Sequence, residues 1–252
     1  MVDEAFERHF HRRADLADEL VGRGLTVDGI GLAAGALDAL GAIWFHDFPA
    51  TVEELSRELG GNPPPSIRLA RMMARFAPTE PSAQLVAVVS FAEDWKRYAS
   101  ETAGPAEKLL ARRIGEHPNE LPRSYLDKPL GELIDECPEI GASKPLRSLA
   151  AEYTYAAMLY RFYRCPILHL TAPAHRTHGF TVDDEVMYMR LRPGFTSISF
   201  GPALVTRWLG VAATGYTRGC AAASVHPPKD MDPAGDAEEL LKSRWERVAK
   251  RA

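Results

Sequence analysis

The residues best suited to chemistry lie in Leu159-Tyr160-Arg161-Phe162-Tyr163-Arg164-Cys165-Pro166-Ile167-Leu168-His169. Arg164 cannot act as a base, but its planar guanidinium can hold a phosphate through two hydrogen bonds. His169 titrates near neutrality and can move a proton. Together they supply what metal-free RNA cleavage needs. A base activates the ribose 2′-OH, and a cation stabilises the charge that builds on phosphorus. Arg161, Arg176, His178, Arg190 and Arg192 surround this segment in the chain and are the candidate RNA-binding side chains.

Spacing alone does not single the pair out. With 23 Arg and 8 His, chance gives about two Arg/His pairs four to six residues apart. Two with Arg first stand five apart, Arg164/His169 and Arg112/His117. Context separates them. Arg112 and His117 flank Gly115 and precede Pro118, a surface-like helix end. Arg164 and His169 follow an aromatic, apolar helix, where a polar pair is costly to bury and needs a reason.

Two other readings use the same residues. Cys165, His169, His175 and His178 all have zinc-ligand chemistry, and Cys-x3-His with His-x2-His is a feasible local spacing. In the other, His169 is an ordinary helix-terminal histidine, and Arg164 pairs with an acid such as Glu152 or Asp183. Tyr153, Tyr155, Tyr160, Phe162 and Tyr163 cover a helix face. That spacing favours core over a platform for stacking bases. Other catalytic signatures are missing: the sequence has no phosphate loop ending in Lys-Ser/Thr, no His-Glu-x-x-His and no Gly-x-Ser-x-Gly.

The elements that must position the pair read mostly as helices. Phe6, Phe10, Leu16, Leu20 and Val21 recur at helical spacing among charges and predict an amphipathic first helix, ended by Gly22 and Gly24. Asp28 to Phe45 is apolar nearly all round, as a central core helix would be. A short helix follows Thr51, Pro63-Pro64-Pro65 reads as loop, and Ser66 can cap the next helix. Leu85-Val86-Ala87-Val88-Val89 fits either a buried strand or the start of a long helix through Tyr98, and helix is favoured because no hairpin partner is near in the chain. His117 to Pro145 reads as a proline-rich loop. Arg147 to Arg164 reads as a strong helix that Pro166 interrupts. Val186–Leu191 and Thr196–Phe200 flank a Pro-Gly turn, the one clear hairpin signal. Gly201-Pro202 then opens a helix to about Ala223. The fold class is therefore mostly α, a helical bundle with a small β-hairpin between the motif helix and the helix after it. Residues 1–225 form the helical domain, and 226–252 are a linker and a C-terminal helix starting after Asp236.

Tyr163-Arg164-Cys165-Pro166-Ile167-Leu168-His169 resembles the Arg-polar-x-x-x-His signature of HEPN domains, helical proteins of prokaryotic toxin, defence and RNA-processing systems. Leu32-Ala33-Ala34-Gly35-Ala36-Leu37-Asp38-Ala39-Leu40 is similar to the first core helix of the larger HEPN-like families, and the hairpin and helix after the motif also look like theirs. The resemblance spans roughly residues 5–225. It implies a helical homodimer with two Arg/His pairs facing across the interface. It also implies a metal-independent endoribonuclease leaving 2′,3′-cyclic phosphate ends, or else an inactive sensor or scaffold. Arg164 would then bind the phosphate and His169 would be the acid/base. One departure concerns Cys165, where the family commonly has Asn, Asp or His.

Composition fits this picture without requiring it. The 252 residues are 46% hydrophobic and 25% charged, as in an ordinary globular protein, and net charge is -4. Net charge thus gives no support for nonspecific duplex binding, and any RNA site must be local. Basic residues are 23 Arg against 7 Lys, as high-GC genomes also favour. Cys137, Cys165 and Cys220 are too few for a disulfide scaffold and fit a reducing compartment. The charged N-terminus is no signal peptide, and Val27 to Phe45 is too interrupted for a membrane span. The expected setting is cytoplasmic, without membrane or cofactor. Expected partners are RNA, a second copy of the chain and a partner protein of a defence or toxin system.

Overall fold

A computed structural model describes residues 2–59, 61–114, 126–170, 177–178, 184–192 and 194–225. Helices dominate it, as the sequence pattern implies. The segment 226–252, with its expected last helix, lies outside the described residues.

Helix α2 (Thr26–Asp47) is the centre of the bundle. It packs against α1 (Val2–Gly22), α4 (Pro65–Phe76) and α12 (Pro202–Ala223). Ile30, Leu37, Leu40 and Trp44 are almost fully buried, as an apolar-all-round helix requires. By length and composition α2 could cross a membrane; here half of its most apolar stretch is buried against α1, α4 and α12. Its small residues allow close approach. A methyl on Gly31 would stand 3.0 Å from Ile167 Cγ2, so the missing side chain lets the motif helix lie against α2. In α1 the buried stripe is Phe6, Phe10, Ala14 and Ala17, while Leu16 is exposed. The helical period holds, but the register of the apolar face is set by the two phenylalanines.

Helix α3 (Pro49–Leu59) follows α2 directly. Pro65, expected in a loop, is the first residue of α4. A first-turn proline loses nothing, because that N–H would be unpaired anyway. Ser66 does not cap this helix; its hydroxyl donates to Glu152 Oε2 at 2.7 Å. The segment read as helix from Leu85 divides. Leu85–Val86 is a two-residue strand, β1, antiparallel to β2 (Lys128–Pro129), and α5 (Val88–Tyr98) starts just after it. The pairing partner is distant in sequence, so no local signal announces it. Helix α6 (Gly104–Ile114) packs on α5.

The expected proline-rich loop is helical over its described second half: α7 (Leu130–Glu136), α8 (Pro138–Ala142) and α9 (Lys144–Ala151). Pro138 and Pro145 stand in first turns, where proline starts a helix instead of breaking one. The strong helix expected from Arg147 also breaks, at residues 152–154. There the Tyr153 carbonyl accepts from Ala87 N–H at 2.9 Å, and Thr154 bridges Val86. Tertiary hydrogen bonds to the β1 segment replace the helical ladder.

The chain re-enters helix as α10 (Tyr155–Leu159), widens into a π turn over Tyr160–Arg164, and continues as α11 (Cys165–Leu170). Pro166 therefore does not end the helix. Its ring would meet the carbonyl four residues back, and the wide turn just before it loosens that ladder. The Cys165 N–H accordingly bonds the Tyr160 carbonyl, five residues back. The hairpin forms as expected, β3 (Val186–Arg192) against β4 (Phe195–Phe200), with Gly194 at φ +69° in the turn and a bulge between Arg190 and Arg192. Every residue of β4 is buried, and β4 packs on α5.

Candidate functional site

The π turn brings Arg164 to the edge of α2. Its Nη2 lies 2.7 Å from Asp38 Oδ2, and its guanidinium lies 5.3 Å over the Tyr160 ring. Both partners are partly exposed, Arg164 at 24% and Asp38 at 18% of their side-chain surface. Arg164 Nε is buried with no hydrogen-bond partner among the described residues. Burial raises the Asp38 pKa above the ordinary carboxylate range, against the pull of the Arg164 and Arg68 guanidiniums. Tyr160 is raised as well, by burial and by the Asp38 charge. Glu152, one of the acids expected beside Arg164, instead faces Arg161. Arg161 Nη1 donates to the Glu152 carbonyl at 3.3 Å, and its Nε stands 4.0 Å from Glu152 Oε2. Asp183, the other, lies outside the described residues.

The sequence held one sign of Asp38's role. It is a charge set within an otherwise apolar helix, and a half-buried carboxylate needs a cation or a donor. Which cation could not be read, because α2 and the π turn meet only in the fold.

His169 lies in α11, so the helix carries both motif positions. At about 100° per residue, positions 164 and 169 are about 140° apart around the axis. They do not share one face of the helix. The side chain of His169 is outside the described residues, as are His175, Arg176, His117 and the side chain of Arg192. Arg190 is half-buried on β3, opposite Thr196.

His178 is drawn to the hairpin, where Thr177 bridges Ile198. Its Nδ1 is 3.0 Å from Ser197 Oγ, its Nε2 is buried without a partner among the described residues, and burial lowers its pKa. Burial there disfavours its charged form. Cys165 is a free, half-buried thiol. No group of three or more His, Cys, Asp or Glu is gathered for a metal ion among the described residues. Cys137 is buried, and burial and Glu139 push its thiol up to about 11, which disfavours the reactive thiolate.

Behind the motif helix lies a buried polar network that sequence reading missed. Asp127 accepts from Val88 N–H at 3.0 Å and Tyr155 Oη at 2.5 Å, and also from the Tyr188 hydroxyl. Burial still pushes Asp127 up to about 6. Glu93 accepts from the Thr196 N–H and hydroxyl, both at 2.8 Å, and so ties α5 to the hairpin. Tyr163 donates to Ser199 Oγ at 3.2 Å, tying the π turn to the same strand. Tyr153, Tyr155, Phe162 and Tyr163 are buried, so most of the aromatic cluster is core. This network fixes the hairpin against the motif helix and holds the π turn in place.

Compared with protein-family models, with curated proteins and with solved structures, the chain matches none of them.

Proposed function

We propose that this chain is a HEPN-like RNA-processing protein. In this reading Arg164 binds the scissile phosphate and His169 takes the 2′-OH proton. The freed oxygen attacks phosphorus, the 5′-oxygen leaves with a proton, and the product carries a 2′,3′-cyclic phosphate. The observation that supports it best is the state of Arg164. It is a partly exposed guanidinium at the lip of a continuous helix, held by one carboxylate and with one N–H unpaired. Phosphate can exchange for Asp38, whose raised pKa marks a weakly held charge.

The Asp38–Arg164 pair also favours a second reading, a non-catalytic interaction or sensor module in which this ion pair only fastens α2 to the motif helix. One experiment separates the two. Bulk and transfer RNA are incubated with the protein in chelator, and product ends are mapped for wild type, His169→Ala, Arg164→Ala and Asp38→Asn. The nuclease reading expects cyclic phosphate ends that vanish in the first two variants, while His169→Ala melts like wild type. Unchanged cleavage in His169→Ala refutes it. No cleavage by wild type, together with a large stability loss in Arg164→Ala, establishes the second reading.

A further inference from the structure

Helix α2 is apolar on nearly every side, yet one side of it is open. At about 100° per residue, Leu32, Gly35, Ala39 and Ala42 share the side turned away from the core residues Leu37, Leu40 and Trp44. Ala39 and Ala42 are exposed, and Leu32 and Gly35 are half-buried. A methyl on Gly35 would meet nothing within 4 Å. Helices α1 and α11 flank this side. A methyl on Gly29 would run into Ala17 and Val21 of α1, and one on Gly31 into Ile167 of α11. Leu16 and Leu20 stand on the side of α1 opposite Glu7 and His11, which meet Thr214 of α12, so they border the open side of α2. Leu16 is 47% exposed and Leu20 is half-buried. The result is an apolar trough between α1 and α11 with small residues as its floor. A helix apolar all round is stable in water only when that remaining side is covered.

The chain beyond Val225 has the matching pattern. In 237–251, Leu241, Trp245 and Val248 recur at i, i+4 and i+7 with Leu240 beside them, and charged residues occupy most other positions. Large side chains on this segment complement the small ones on α2. A helix over 237–251 is about 22 Å long, and Asp28 to His46 spans about 27 Å of α2. The reach agrees as well. Tyr216 of α12 donates to Asp47 Oδ2 at 2.6 Å, so α12 ends beside the C-terminal end of α2. Residues 226–236 can extend about 36 Å, enough to turn back onto Ala42. Entering there, the segment runs antiparallel to α2. Its acidic start, Glu238 and Glu239, falls at the exposed His46, and its basic end, Lys250 and Arg251, falls at the exposed Asp28.

We propose that residues 237–251 dock as a helix, antiparallel to α2, in this trough, with Leu241, Trp245 and Val248 over Gly35, Ala39 and Ala42. The docked segment completes the cover of the central helix. Tethered by 226–236, it competes at high effective concentration against any partner in solution. This docking does not depend on whether the chain cleaves RNA.

Hydrogen exchange of the full chain, read by mass spectrometry, tests this. Amides in 240–248 should exchange at least about tenfold more slowly than in an unstructured chain, more protection than an isolated helix of this length sustains. Ala39→Asp puts a charge on the floor of the trough at an exposed position, and Leu241→Glu puts one on the docking face of the segment. Each should return 240–248 to the unstructured rate while exchange in α4 and α12 stays as in wild type. Unstructured rates in the wild type, or protection that survives Ala39→Asp, overturn the proposal. Protection that is lost on about hundredfold dilution, as a dimer separates, assigns the trough to a second copy of the chain and overturns it as well.

Discussion

Replacing Asp127 with asparagine should remove a pH dependence of stability that the fold builds into its buried polar network. Asp127 accepts three hydrogen bonds, and each favours its charged form. Burial outweighs them and lifts its pKa to about 6, against about 3.9 in an unfolded chain. The folded state therefore holds the proton more tightly than the unfolded one. Its stabilising effect is complete below about pH 4 and is lost as pH rises through about 6. A shift of about two units corresponds to about 3 kcal/mol between those limits. The amide introduced by Asp127→Asn would keep the shape and cannot titrate. Its NH2 group can donate to the Tyr155 or Tyr188 oxygen while its carbonyl accepts from Val88. Denaturant unfolding of both proteins from pH 4.5 to 7.5 isolates this group, because the other titrations cancel in the difference. The wild type should gain about 2 kcal/mol relative to the variant as pH falls across that range. A difference that is flat within about 0.5 kcal/mol, or that runs the other way, refutes the view that burial dominates at Asp127.

Gly215→Ala tests the packing of α12 on α4. A methyl there would overlap the Phe76 carbonyl oxygen. Helix propensity alone favours Ala by about 1 kcal/mol, so a loss of about 3 kcal/mol or more, read as a fall in Tm, identifies the clash as the cause. At the candidate site, a double-mutant cycle of Arg164→Ala and Asp38→Ala should give a coupling of about 1–2 kcal/mol, between exposed and buried pairs. Additive losses would mean that the pair is not a unit. Glu136 accepts from Arg113 at 2.9 and 2.7 Å, with Arg112 and Lys128 beside it, and its pKa is lowered to about 2. A lowered carboxylate pKa stabilises the fold above about pH 4.5, and that benefit fades as pH falls towards 2. Glu136→Gln should thus be less stable than wild type at pH 7 and converge with it near pH 2 in acid-unfolding curves.

Much of the fold is legible wherever the signal is local. The hairpin turn needs a residue that tolerates positive φ, and Gly194 after Pro193 supplies it. The start of α12 is announced by Pro202 in its first turn, and its end falls at Ala223 as expected. Helix α2 is recognisable because a segment apolar on nearly every side has only the core to occupy. The same local rules mislead where a residue type has two uses. Pro65, Pro138 and Pro145 begin helices, and Pro166 is absorbed by a widened turn, so proline marks a boundary without saying which side is helix.

The amino-acid sequence by itself determined the helical class, the hairpin, the central helix and the segment in which Arg164 and His169 stand. Those features follow from periodicity and turn chemistry, which act between near neighbours in the chain. The partners were decided by tertiary structure alone: Asp38 for Arg164, Glu152 for Arg161, Ser197 for His178, and two tyrosines from different elements for Asp127. The physical reason is that ion pairs and hydrogen bonds depend on separations of a few ångströms in space, and residues distant along the chain reach those separations only once the helices have packed.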